Sequence, residues 1–360
     1  FTEPSQVLDL KAEYIGVTSV NLKWVVNDNT SDPYTYRIEF VNDTKKNLTF
    51  NDTKAEITNL TPGTLYNFTV FAVAADNETE GEGSSIDLYT RPSPVLDLEA
   101  EYIGVTSVIL KWVVNDNASD PYTYRIQFVN GTPVPHLTFN GTKAEITELI
   151  PGTMYNFTVF AVAADNETEG EGASIDLYTR PSPVLDLEAE YIGVTSVILK
   201  WVVNDNASDP YMYRIGVVDG TNDTPVKNLT FNDTKAEITN LTPGTLYNFT
   251  VFAVAADNET EGEGVSIDLY TRPSPVLDLE AEYIGVTSVI LKWVVNDNAS
   301  DPYTYRIQFV NGTPVPHLTF NGTKAEITEL IPGTLYNFTV SAVAADNETE
   351  GEGASIDLYT

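Results

Sequence analysis

The sequence has no cysteine, only two histidines and two methionines, and no apolar run approaching the roughly 20 residues of a bilayer span. A disulfide scaffold, a zinc–thiolate centre and a thiol nucleophile are therefore excluded, while the redox compartment stays open. Basic residues are also scarce: 19 Lys and Arg against 52 Asp and Glu give a formal net charge of −33. A polyanion needs cations to displace its counterions, so nucleic acid is excluded as a partner. Anionic lipid surfaces and sulfated glycans are excluded on the same ground, and no direct membrane contact is expected. There is no signal-peptide pattern, and the chain opens at Phe1 rather than a methionine, which reads as a piece of a longer protein. No Arg-Gly-Asp tripeptide occurs.

Apolar content is 42% over 360 residues, enough for two to four domains with cores of their own. Self-similarity sets their number. The motif Ser-Val-x-Leu-Lys-Trp ends at Trp24, Trp112, Trp201 and Trp293, with spacings of 88, 89 and 92 residues. Tyr-Thr-Arg-Pro-Ser-Pro-Val recurs at Tyr89–Val95, Tyr178–Val184 and Tyr270–Val276. A period near 90 is too long for a solenoid and right for small independent domains. The expected boundaries are 1–91, 92–180, 181–272 and 273–360. Repeats 1 and 3 share Lys46–Thr53 and Lys227–Thr234; repeats 2 and 4 share Phe128–His136 and Phe309–His317. A two-repeat block copied once accounts for this pattern.

Within the first repeat the apolar period is 2. Val20, Leu22 and Trp24 alternate with polar residues, as do Tyr36, Ile38 and Phe40, and Tyr66, Phe68, Val70 and Ala72. Such runs predict strands with one buried face. Ala55–Ile57 and Ile86–Leu88 are shorter runs of the same kind, and no helical stripe is present. Turn signals separate them: Asn27–Pro33, Thr61–Thr64 and Gly81–Gly83, with Asn130-Gly131 and Asn140-Gly141 in the second repeat. Six or seven short strands in about 90 residues predict an antiparallel sandwich closed over the tryptophan. Pro133 and Pro135 cannot donate to a ladder, so their stretch is expected on a protected edge.

Trp24 after Ser-Val-x-Leu, Tyr36-x-Ile-x-Phe, Leu60-x-Pro-Gly-Thr-x-Tyr66-x-Phe-x-Val and the closing Thr90 together resemble a fibronectin type III domain, and the match covers all four repeats, with Val217 in place of the first phenylalanine in the third. The resemblance implies an all-β chain of four tandem immunoglobulin-like sandwiches, each of seven strands in two sheets, arranged as a rod. It makes Trp24, Trp112, Trp201 and Trp293 the core signature, with Tyr66, Tyr155, Tyr247 and Tyr336 as corner tyrosines bonded to nearby backbone. Asn-Asp-Asn-Ala-Ser-Asp-Pro-Tyr, Pro-Gly-Thr-Leu-Tyr-Asn-Phe-Thr-Val and Tyr-Thr-Arg-Pro-Ser are further similar to the ectodomains of receptor-type tyrosine phosphatases of the eta type. That resemblance implies an extracellular place above a single membrane span and a cytoplasmic phosphatase domain.

The densest motif is Asn-x-Ser/Thr without proline, the acceptor for N-linked glycans. Repeat 1 has it at Asn29, Asn42, Asn47, Asn51, Asn59, Asn67 and Asn77, and repeat 2 at Asn117, Asn130, Asn140, Asn156 and Asn166. Repeat 3 has it at Asn206, Asn222, Asn228, Asn232, Asn240, Asn248 and Asn258, and repeat 4 at Asn298, Asn311, Asn321, Asn337 and Asn347. Turn chemistry alone explains some of these, such as Asn130-Gly131-Thr132. Asn67 lies between core residues of a strand, where asparagine is depleted, and alternation points it to solvent. Asn47 and Asn51 are close enough for two glycans to crowd.

Candidates for other chemistry are few. A triad needs a histidine held against a nucleophile and an acid. His136 and His317 instead occupy equivalent places in the variable Pro-Val-Pro-His segment, where a solvated imidazole is expected. No phosphate loop and no HExxH occurs, so no catalytic residue, cofactor or metal ligand is assigned. Asp76, Glu78, Glu80 and Glu82 crowd one loop and recur in every repeat, which raises calcium as an alternative against a solvated acidic loop. The same loop could steer a basic protein partner. Asp9 and Glu13 lie near a domain start, facing a possible neighbouring loop. Phe71, Phe160 and Phe252 are outward by alternation, with Ser341 at the matching place, which suggests a surface site or a domain junction. The expected function is a non-catalytic extracellular spacer and ligand-presenting array. The alternatives are a calcium- or protein-binding adhesion module and the accessory domains of a secreted enzyme.

Overall fold

A computed structural model describes residues 2–26, 34–41, 45–114, 122–129, 137–203, 210–220, 227–295, 302–310 and 318–360. The chain packs as two units, one of residues 1–149 and 154–179 and the other of 150–153 and 180–360. Among the described residues every regular element is a strand, and each repeat has seven.

In the first repeat these are β1 (Val7–Ile15), β2 (Val20–Val26), β3 (Thr35–Val41), β4 (Lys45–Phe50), β5 (Lys54–Ile57), β6 (Leu65–Val73) and β7 (Ser84–Tyr89). One sheet has the order β1-β2-β5 and the other β4-β3-β6-β7, with all pairs antiparallel. The other three repeats have the same pair of sheets in the same order. The period-2 runs supply the inner faces. Val20, Leu22 and Trp24 on one sheet meet Tyr36, Ile38, Phe40, Tyr66, Phe68 and Val70 on the other in one buried cluster. Trp24 is only 1% exposed and meets Tyr36 edge-on at 5.2 Å between ring centroids. The same Trp–Tyr pair recurs at 5.2 Å in each later repeat. Burial on this scale makes the tryptophan the main apolar contribution to each core.

β1 escapes the period-2 reading for a local reason. Its pairing with β2 shifts register between Leu8 and Lys11 and again between Ala12 and Tyr14. Asp9 sits there at φ 51°, and Asp97, Asp186 and Asp278 repeat the kink. A bulge turns the alternation over, so apolar residues no longer fall on every second position. The edge stretch expected around Pro133 and Pro135 lies outside the described residues, as do Asn130-Gly131 and both histidines. Beside it, Leu137–Phe139 pairs with Thr123–Val129 as the outermost strand of its sheet.

Each domain end is closed by side-chain hydrogen bonds. The Tyr66 hydroxyl accepts the Thr61 N–H at 2.9 Å, and Tyr247 and Tyr336 do the same for Thr242 and Ile331. Tyr155 is buried at the corresponding place. Thr90 is fully buried; its hydroxyl donates to the Thr61 carbonyl at 2.6 Å and accepts the Thr64 N–H at 3.0 Å. The corner turn, the last strand and the start of the linker are thereby tied together.

Candidate functional site

The surface features fall into three groups: asparagines on outer faces, an acidic loop, and an arginine–aromatic pair beside that loop. Sixteen of the glycan-acceptor asparagines lie among the described residues, and fourteen of these are exposed. Asn156 and Asn248 are half-buried. Asn29, Asn42, Asn117, Asn130, Asn206, Asn222, Asn298 and Asn311 lie outside the described residues. Asn59, Asn77, Asn166, Asn240, Asn258 and Asn347 occupy left-handed turn positions at φ near 60°. Asparagine tolerates that conformation better than most residues. The backbone does not require it, since Glu148 and Glu329 hold φ 61° and 63° where Asn59 and Asn240 stand in the other repeats.

The strand asparagine has a structural partner that the sequence does not reveal. Asn67 donates its side-chain N–H to Asp87 across the β6–β7 pair at 2.7 Å, and beside it Thr69 and Ser85 share a 2.8 Å hydroxyl bond. The same polar rung joins Asn156 to Asp176, Asn248 to Asp268 and Asn337 to Asp357. Facing polar side chains of this kind support a sheet face in water. The rung is thus a reason for asparagine at this place that requires no glycan.

The acidic loop is largely spent on its own geometry. The Asp76 carboxylate accepts the N–H groups of Glu78 and Thr79 and the Thr79 hydroxyl, at 3.0, 2.9 and 2.6 Å. Those bonds, the Thr79 hydroxyl first, hold its pKa down to about 2. Asp165, Asp257 and Asp346 repeat the arrangement; partial burial works against their ionisation, but the threonine hydroxyl and backbone donors still lower their pKa. Glu80 forms a two-pronged pair with Arg37, with one contact of 2.6 Å, and the guanidinium keeps the carboxylate below its usual range. Arg125–Glu169, Arg214–Glu261 and Arg306–Glu350 are the matching pairs. Glu13 is paired with Lys23 at 2.9 Å, and Asp9 is the bulge residue of β1. Among the described residues no three acidic or histidine side chains gather as a cation site.

Phe71 is half-buried rather than free on the surface. The Arg37 guanidinium stacks over its ring at 4.4 Å, and a Cβ on Gly83 would fall 2.6 Å from the ring. Arg214 stacks on Phe252 at 5.0 Å. In repeat 4, Ser341 is buried and donates to Glu350, the partner of Arg306, at 3.3 Å. Alternation along β6 correctly put Phe71 on the outer face but could not show the loop that folds over it.

Comparison with known proteins agrees with this architecture. The profile of the fibronectin type III domain matches residues 3–87, 92–176, 181–267 and 273–356. The chain is 63% identical, along its whole length, to the receptor-type tyrosine-protein phosphatase eta of Gallus gallus. It is 33% identical over 96% of its length to the protein of that name from Homo sapiens. It covers 26% and 25% of those two relatives, so it spans about a quarter of their length. A two-domain fibronectin type III segment of chicken tenascin aligns at 22% identity and a TM-score of 0.36, over 48% of this chain and 99% of that one. The matched segments take up nearly all of the sequence, and domains of this type are non-catalytic. The chain belongs to the fibronectin type III family, with four such domains in tandem.

Proposed function

We propose that this chain is part of the extracellular region of a single-pass cell-surface receptor of the receptor-type tyrosine phosphatase kind, and that it acts there as a glycosylated spacer and ligand-presenting array. The observation that carries this reading is the 63% identity to the chicken phosphatase over the whole chain. We place the four domains at 1–91, 92–180, 181–272 and 273–360, joined by short proline-containing linkers that limit bending. N-linked glycans occupy exposed acceptor asparagines, and the net charge of −33 favours a basic protein ligand and keeps the chains apart. The phosphatase activity of the relatives resides in sequence that this chain does not cover.

Secretion of the chain from animal cells, with glycopeptide mass spectrometry, tests the location. Glycan is expected at Asn77 and Asn140, two exposed turn positions. Bare asparagine throughout would remove the extracellular reading.

A further inference from the structure

Four tyrosines hold nothing in the fold together. Tyr14, Tyr102, Tyr191 and Tyr283 occupy the same place in the four repeats and are 55%, 54%, 53% and 56% exposed. The corner tyrosines spend their hydroxyls on a turn, as Tyr66 does on the Thr61 N–H. The hydroxyls of these four have no hydrogen-bond partner among the described residues. A phenol placed in water in this way is open to a modifying enzyme.

The neighbourhood of three of them is acidic. One, three and five residues before Tyr102 stand Glu101, Glu99 and Asp97, all exposed. Glu190, Glu188 and Asp186 precede Tyr191 in the same way, and Glu282, Glu280 and Asp278 precede Tyr283. Strict alternation would turn either Glu101 or Tyr102 to the core. The register shift between Ala100 and Tyr102 leaves Glu101 as the extra residue, so both face water. Glu101 pairs with Lys143 at 2.7 Å and Glu99 with Lys111 at 3.7 Å, but all four side chains are exposed, and such pairs hold weakly.

The segment is also accessible as backbone. The strands Val7–Ile15, Leu96–Ile103, Leu185–Ile192 and Leu277–Ile284 each lie at an end of their three-stranded sheet. An edge strand offers unpaired backbone groups, so an enzyme can hold the tyrosine and its acidic neighbours in extended form.

The group transfer that suits a free phenol flanked by acids is sulfation. An activated sulfate is a mixed anhydride of sulfate and a nucleotide phosphate, and its negative charge calls for a basic enzyme site. Acidic residues beside the acceptor are drawn to that site. We propose that Tyr102, Tyr191 and Tyr283 are sites of tyrosine O-sulfation. The phenol oxygen attacks the sulfur and forms the new O–S bond. The bond from sulfur to the phosphate oxygen breaks, the nucleotide leaves with that electron pair, and the phenol proton passes to a base of the transferase. Tyr14 is the poorer acceptor, because Lys11 stands where the later repeats have Glu99, Glu188 and Glu280. Each sulfate adds a fixed negative charge beside two glutamates, which strengthens the attraction for basic groups of a ligand. The inference rests on the extracellular reading, since this chemistry belongs to the secretory route.

The test secretes the full chain from animal cells, releases N-linked glycans with an enzyme that leaves aspartate at each occupied asparagine, and reads the peptides by mass spectrometry. Sulfate is expected on the peptide around Tyr102, Tyr191 and Tyr283, which has one sequence in the three later repeats, and several-fold less on the peptide around Tyr14. Lys11→Glu is expected to bring Tyr14 up to the level of the others. Equal sulfate on Tyr14 in the original chain, or no response to Lys11→Glu, overturns the role given to the acidic neighbours. An added mass that a tyrosine phosphatase removes is phosphate, and overturns the proposal. Unmodified tyrosine on a chain that carried glycan overturns it and leaves the extracellular reading standing; bare asparagine with unmodified tyrosine removes both.

Discussion

Thr90→Val is the sharpest probe of how these domains are closed. Valine keeps the shape of threonine but removes the hydroxyl. The change strands two backbone groups, the Thr64 N–H and the Thr61 carbonyl, which Thr90 now satisfies at 3.0 and 2.6 Å. The Thr64 amide is buried, so water cannot replace the lost partner. An orphaned buried donor costs about 1–3 kcal/mol and the second bond about 1 kcal/mol, for a loss of roughly 2–4 kcal/mol. With an m-value of about 1.5 kcal/mol per molar urea, the midpoint of the first domain should drop by about 1.3–2.7 M. A single optical transition does not separate one domain from three near-copies. Hydrogen exchange on peptides that run from before Thr64 through Ser84, where the third repeat has Val265, followed through the urea titration, isolates the first domain. Thr90→Ser, which keeps the hydroxyl, should stay close to the parent. A midpoint shift below about 0.3 M for Thr90→Val, or an equal shift for Thr90→Ser, would show that the hydroxyl does not tie the corner to the last strand.

Trp112→Ala should destabilise the second domain by about 3–5 kcal/mol, seen as loss of exchange protection confined to residues 92–180. Phe71→Ser, which copies the Ser341 arrangement, should cost about 1 kcal/mol through the lost guanidinium stacking and leave the Arg37–Glu80 pair intact, as a urea titration of the same peptides will tell. Asp76 has a folded pKa of about 2, below its usual 3.8, so its hydrogen bonds support the loop fully above pH 3.8. That support should fade as pH falls from about 4 to 2, and exchange at Glu78 and Thr79 should rise over that window; in Asp76→Ala it should be fast at every pH. Asn67→Gln should remove any glycan mass at that position and slightly weaken the β6–β7 rung.

Much of the fold was legible because β2, β3 and β6 each have one face in the core and one in water. Period 2 is then written directly into residues such as Val20, Leu22 and Trp24. β1 was hidden because the bulge at Asp9 reverses its alternation, and a bulge is a property of backbone pairing. The sequon-bearing asparagines were visible as tripeptides, but the Asn67–Asp87 rung depends on register between strands 20 residues apart. The acidic loop looked like loose charge in the sequence. Its order comes from Asp76 bonding residues two and three positions on and from Glu80 reaching Arg37, 43 residues away. Tyr122 lies against Gly63 of the preceding repeat, and no pattern inside a single repeat can announce it.

The stretch that links the third strand of a repeat to its fifth differs in length between neighbours. It holds 16 residues between Arg37 and Lys54, 17 between Arg125 and Lys143, 20 between Arg214 and Lys235 and 17 between Arg306 and Lys324. Near-identical modules emerging one after another from a ribosome are prone to exchange strands with the module just made. Here no module is followed by one with a stretch of the same length. An exchanged strand would arrive with a surplus or a shortfall of chain, so consecutive modules are pushed to mature separately although most of their interiors are interchangeable.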